Sequence, residues 1–235
     1  MQPTIVVEHF DSDVCQKREA AAREVWLAFG DLPPGRLLCF FDDQDHCVFK
    51  NENVGFGEAN RAVSGPVWTP ADLRDWPLDI IRHVFSSHSL DDNKPAFDFV
   101  IYVHNSTCED PVGLTMTFAH ELQHFVQWAT MRSVWKANER FKDWAQNFET
   151  GLYSHNLPIE KDARIVAKRI AIRIHGREAV DRYIEKNIAS PVNDLDGRNW
   201  RFIESIDVAK PYDVEVETEM LDSELKSRPL AYRQT

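Results

Sequence analysis

The chain has 235 residues, of which 43% are hydrophobic and 11% aromatic, enough to build one sizeable core. Its formal net charge is −11, and no basic patch stands out, which argues against nucleic acid or an anionic membrane surface as the partner. No run approaches the roughly 18 apolar residues of a membrane span, and the start, Met1-Gln2-Pro3-Thr4, lacks the basic and apolar regions of a signal peptide, so a cytoplasmic location is expected.

Residues 4–8 are rich in β-branched side chains and predict a short strand. Asp11 or Ser12 is placed to cap a helix running to about Phe29, which Gly30 and then Pro33-Pro34-Gly35 bring to an end. Residues 37–41 predict a second strand and 46–50 a third; the acidic turn Asp42-Asp43-Gln44-Asp45 between them suggests a hairpin. Residues 51–66 read as irregular, with Gly55, Gly57, Gly65 and Pro66. Thr69 and Pro70 open a helix to about Trp76, with a second expected between Leu78 and Phe85. Residues 97–103 form the strongest strand, with Phe97, Phe99, Ile101 and Val103 on one face. Helices are then expected over 114–131, from Ser133 or Asn138 to near Phe148, from an Asn156 cap to Gly176, and over 178–188. After Pro191 the pattern fades, although Trp200 and Phe202 are available to pack back. Residues 206–235 read as an acidic, weakly ordered tail. Cys15, Cys39, Cys47 and Cys108 make no C-x-x-C pair, and free thiols are expected.

The chemistry concentrates in Phe118-Ala119-His120-Glu121-Leu122-Gln123-His124-Phe125. On a helix, His120 and His124 stand one turn apart on one face and offer two imidazoles to one metal ion. Zinc is the metal that most often takes this arrangement, with the adjacent carboxylate, here Glu121, as general base. Phe118, Ala119, Leu122, Phe125, Val126 and Ala129 make the helix apolar nearly all round, so it should be buried. Buried imidazoles and a carboxylate need partners.

A catalytic zinc usually has three protein ligands and an open position. The metzincin extension fails here, because Gln127 stands where glycine belongs and Thr130 where the third histidine belongs. Glu139, Glu149, His155 and Glu160 remain. Glu160 is the best of them: it heads the stripe Ala163, Ala167, Ile170, Ile174, and it lies in a first helical turn, where the macrodipole favours an anion. His155 is the main rival. The small Ala163 and Ala167 would let this helix approach the metal helix. Tyr153, His155 and Arg164 are candidate donors to a developing oxyanion.

His120-Glu121-x-x-His124, the preceding strand at 97–103 and the downstream Glu160-x-x-Ala163-x-x-x-Ala167 together resemble the zincin metallopeptidases, and among them the glutamate-ligand branch, the gluzincins. The resemblance covers roughly 97–174. It implies an α+β, zincin-like fold with a small mixed sheet packed on the H-E-x-x-H helix. It also implies zinc held by His120, His124 and Glu160, Glu121 as the base, and a peptide or protein substrate paired with the strand nearest the site, here the edge of the 97–103 strand. The expected organisation is one domain over 1–205, with an N-terminal αβ part (1–96) and a metal-site core (97–190), followed by the tail. The alternative is a regulatory or binding module that keeps the metal and has lost catalysis; the presence of Glu121, which only the chemistry needs, argues against it.

Overall fold

The computed structural model describes residues 4–9, 12–41, 62–67, 96–103, 109–147, 157–191 and 194–227. Along the chain these form β1 (Thr4–His9), α1 (Ser12–Phe29), β2 (Arg36–Phe41), β3 (Ala62–Pro66), β4 (Phe99–Val103), α2 (Pro111–Thr130), α3 (Arg132–Asn147), α4 (Pro158–His175), α5 (Arg177–Ala189), α6 (Asp194–Ser205) and α7 (Val214–Ser227). The architecture is α+β and mostly helical, with one four-stranded mixed sheet among the described residues.

The sheet order is β1-β2-β4-β3, with β1, β2 and β4 parallel and β3 antiparallel to β4. Leu37, Cys39 and Phe41 of β2 and Phe99, Ile101 and Val103 of β4 face a helical layer. Leu38, Phe40, Val100 and Tyr102 on the opposite face are buried as well. Strands covered on both faces read as unbroken apolar runs, as Leu37-Leu38-Cys39-Phe40-Phe41 does. At the start of these strands Arg36 grips Asp98 from two side-chain nitrogens, at 2.7 and 3.1 Å, and from its backbone N–H at 3.0 Å.

Three expectations change here. The hairpin between 37–41 and 46–50 does not form on β2, whose two edges are taken by β1 and β4; residues 46–50 themselves lie outside the described residues. The stretch read as irregular contains β3, whose Ala-Val-Ser-Gly-Pro sequence has little strand propensity. Its pairing with β4 supplies what propensity does not, and Pro66 is tolerated because β3 is an edge strand. Finally, β4 has no free edge for a substrate, since β2 and β3 flank it. The helices expected between Thr69 and Phe85 and the acidic turn at 42–45 also lie outside the described residues.

The helical layer is built on α2. Asp110 caps it, its Oδ1 accepting from the N–H groups of Val112 (2.9 Å) and Gly113 (3.2 Å), with Pro111 at the first helical position. Phe118, Leu122 and Phe125 recur at helical spacing and pack on the sheet: Phe118 against Phe41, and Phe125 against Phe99, at ring-centroid distances of 5.5 and 5.6 Å. Ala22 and Val25 of α1 and Ala167 and Ile170 of α4 complete this core. Gly113 lets α5 approach, because a Cβ there would sit 2.5 Å from Tyr183 Oη. Gly176, at φ 82°, lies between α4 and α5, where an L side chain would be strained. The N-cap of α4 is Leu157, with no side-chain cap bond, rather than Asn156. Trp200 and Ile203 of α6 pack against Met116, Ala171, Val180 and Ile184, whereas Phe202 is only half-buried.

Of the weakly ordered tail expected over 206–235, residues 228–235 lie outside the described residues, but Val214–Ser227 is a packed helix. Asp213 caps α7 through bonds of 3.1 Å from the N–H groups of Glu215 and Val216. Val214, Thr218 and Leu225 are buried on one stripe, where Val214, Leu221 and Leu225 pack with Val134, Ala137 and Phe141 of α3. The acidic residues lie around that stripe, so composition alone suggested a solvated segment. No described helix is long and apolar enough to cross a membrane.

Candidate metal centre

Phe118, Leu122 and Phe125 turn one side of α2 to the sheet, so His120, Gln123, His124 and Gln127 lie on the opposite side, and α4 covers them. Ala163, fully buried, keeps that helix pair close. Across the contact Glu160 reaches both histidines. Its Oε2 is 3.3 Å from His120 Nε2, its Oε1 is 3.6 Å from His124 Nε2, and the two Nε2 atoms are 3.0 Å apart. These are the only His, Cys, Asp or Glu side chains among the described residues that converge as a group of three able to hold a metal ion.

The donor set fits such an ion. Two imidazole nitrogens and a carboxylate oxygen are ordinary zinc ligands, at bond lengths near 2.0–2.2 Å. A tetrahedron with such bonds has edges of about 3.3 Å; the two Nε2 atoms are 3.0 Å apart, and the Glu160 carboxylate meets one with Oε2 at 3.3 Å and the other with Oε1 at 3.6 Å, so one ligand atom from each residue lies within 4.8 Å of the others. Burial opposes charge on His124, and Glu160, with Glu121 and Gln127, more than offsets it and holds the imidazole above its ordinary value. Burial likewise pushes the Glu160 carboxyl up, and His124 and His120 more than reverse it, holding the group well below the usual carboxylate range. The carboxylate is therefore ionised at neutral pH.

Glu121 stands beside the group but is not one of the three; its Oε2 accepts a 2.5 Å hydrogen bond from Ser64 Oγ on β3. Arg164, one turn beyond Glu160, is nearly buried with Nη1 3.8 Å from Glu160 Oε2. Burial lowers its pKa, against the raising effect of Glu160 and Glu121. Trp135 of α3 stands edge-on to His124, with ring centroids 6.5 Å apart.

The structure thus brings His120, His124 and Glu160 together and sets Glu121 beside them. Glu139 is exposed on α3, and Glu149, Tyr153 and His155 lie outside the described residues. Sequence reasoning missed Ser64, Gln123, Gln127 and Asp162. Gln123 and Gln127 carried a usable signal: two amides one turn apart in an otherwise apolar, buried helix must find buried partners. Asp162, in the first turn of α4, is the acceptor for both. Ser64 carried no signal, because its approach to Glu121 depends on the pairing of β3 with β4. No family model, curated protein or solved structure matches the chain.

Proposed function

We propose that this protein is a zinc-dependent peptidase of the zincin type, gluzincin-like in its ligands, with His120, His124 and Glu160 holding the metal and Glu121 as general base. One observation carries the reading: two imidazole Nε2 atoms 3.0 Å apart on one helix, met by a carboxylate from a second helix whose oxygens lie 3.3 and 3.6 Å from them, next to a further carboxylate outside the group. An ion pair that served only to join α2 and α4 would have no use for Glu121.

When bound, zinc supplies a Lewis acid that polarises a carbonyl and makes a neighbouring water easier to deprotonate. Glu121 accepts the water's proton as its oxygen joins the scissile carbon, then delivers that proton to the amine as the C–N bond breaks. Ser64 holds Glu121 Oε2, which leaves Oε1 as the oxygen that carries the proton. Arg164 adds a nearly buried positive charge on the α4 side, suited to a developing oxyanion. The substrate strand pairs with the outer edge of β3 rather than with β4, since β3 ends the sheet among the described residues. Ser64 ties that strand to the base, so a peptide aligned on β3 passes Glu121.

The test is metal content and hydrolysis of a mixed peptide library by protein purified without chelator. About one zinc per chain is expected, with activity lost on chelation and restored by zinc. Glu121→Gln should keep the metal and lose roughly a hundredfold or more of the activity. A folded protein that neither contains nor takes up zinc refutes the metal reading. Zinc without hydrolysis favours the regulatory or binding module instead.

A further inference from the structure

Gln127 is fully buried and uses its whole amide. Its Nε2 donates to the Ile159 carbonyl at 2.9 Å and to Asp162 Oδ2 at 2.8 Å, while its Oε1 lies 2.7 Å from His124 Nδ1. The Ile159 oxygen is a backbone carbonyl and can only accept, so the amide has one possible orientation, with its NH2 towards α4 and its oxygen towards His124. An amide oxygen can only accept, so His124 Nδ1 must carry a proton. In the neutral imidazole the lone pair is then on Nε2, the atom that faces His120 and Glu160. Asp162 anchors the arrangement, because the same Oδ2 also accepts from Gln123 Nε2 at 2.7 Å, one turn back along α2. Ile159 directly precedes Glu160, so the side chain that orients His124 also holds the backbone carrying the third candidate ligand.

From this geometry we infer that Gln127, anchored by Asp162, is the positioning residue of the metal centre. It selects the Nε2-ligating tautomer of His124 and sets the placement of α4 that brings Glu160 to the same point. The inference rests on the metal reading above and adds a cause for its geometry. Neither residue is one of the three candidate ligands; each acts through one of them. Outer-shell partners of ligating histidines typically change metal affinity 10–100-fold when removed, and that range applies here because one side chain serves two ligands.

The experiment measures zinc affinity by competition with a chromophoric chelator for the parent, Gln127→Met and Asp162→Asn, with long-range proton–nitrogen NMR of the histidines in the zinc-loaded proteins. Gln127→Met keeps the length and apolar bulk of the side chain and should weaken zinc by roughly 10–100-fold. Asp162→Asn preserves shape, so folding is retained, and should weaken zinc in the same direction by less. In the parent, His124 should show a protonated, hydrogen-bonded Nδ1 and a metal-bound Nε2, and the Nδ1 proton should lose its hydrogen-bonded signature in Gln127→Met. A change confined to general packing would leave that signature in place. The inference is overturned if the parent binds zinc and both variants bind it as tightly, or if His124 binds through Nδ1. A parent that takes up no zinc overturns the metal reading itself and removes this inference with it.

Discussion

Replacing Glu160 by glutamine tests the centre where its three donors meet. The substitution keeps volume and one carbonyl oxygen but removes the charge. In the parent the two carboxylate oxygens are divided between the histidines, Oε2 at 3.3 Å from His120 and Oε1 at 3.6 Å from His124, and the side chain is only 16% exposed, so solvent screens little of the interaction. Removing one partner from a buried charge pair typically costs about 3–5 kcal/mol. If the ion depends on Glu160 to that degree, at about 1.4 kcal/mol per decade its dissociation constant rises roughly 10²–10⁴-fold. Chelator competition at neutral pH, with circular dichroism as the check on folding, measures this directly. A second readout comes from the metal-free protein. Burial pulls the His124 pKa down and the Glu160 carboxylate is the largest influence raising it, so Glu160→Gln should lower that pKa in an NMR titration. A variant that folds, binds zinc as tightly as the parent and leaves the His124 titration in place would refute the assignment of Glu160 and the reasoning from donor separations.

Two predictions concern the frame around the site. Lys168 is almost fully buried, and its Nζ donates to the carbonyls of Ile203, Glu204 and Ile206, each at 2.9 Å, where it closes the C-terminal end of α6. Lys168→Met leaves those acceptors without their charged donor and should destabilise the fold by roughly 2–4 kcal/mol in urea unfolding, whereas an unchanged midpoint would show that water serves them equally well. Asp98 has its pKa lowered, first by the hydrogen bonds from the Arg36 side chain and against the effect of burial. Because the folded value lies below the unfolded one, the pair's contribution is fully present above the ordinary aspartate range and is lost as pH falls through the lowered value. Asp98→Asn should therefore cost up to about 1 kcal/mol at pH 7, the scale of an exposed bidentate pair, and the gap from the parent should close in strong acid; a gap that persists there would mean that the ionised pair is not its source.

What was legible in the sequence was local. The four-residue spacing of His120 and His124, the apolar positions around them and the stripe headed by Glu160 all follow from helical periodicity, which states the face on which a residue lies. The same logic gave α1, the strand ending at Val103 and the glycines after α1 and α4. Periodicity does not state which element covers that face. The convergence of Glu160 with the histidines needed α4 to be laid across α2, and the exposure of Glu139 needed α3 to turn the other way. Ser64 reached Glu121 only because β4 recruited a segment too poor in strand formers to be read as one. Gln127, which locally marked only the absence of a metzincin glycine, acquired a role when Ile159 and Asp162 arrived from α4 to complete its hydrogen bonds. A buried polar group takes its meaning from the partners packed against it, and those partners, 32 and 35 residues away along the chain, are set by tertiary structure alone.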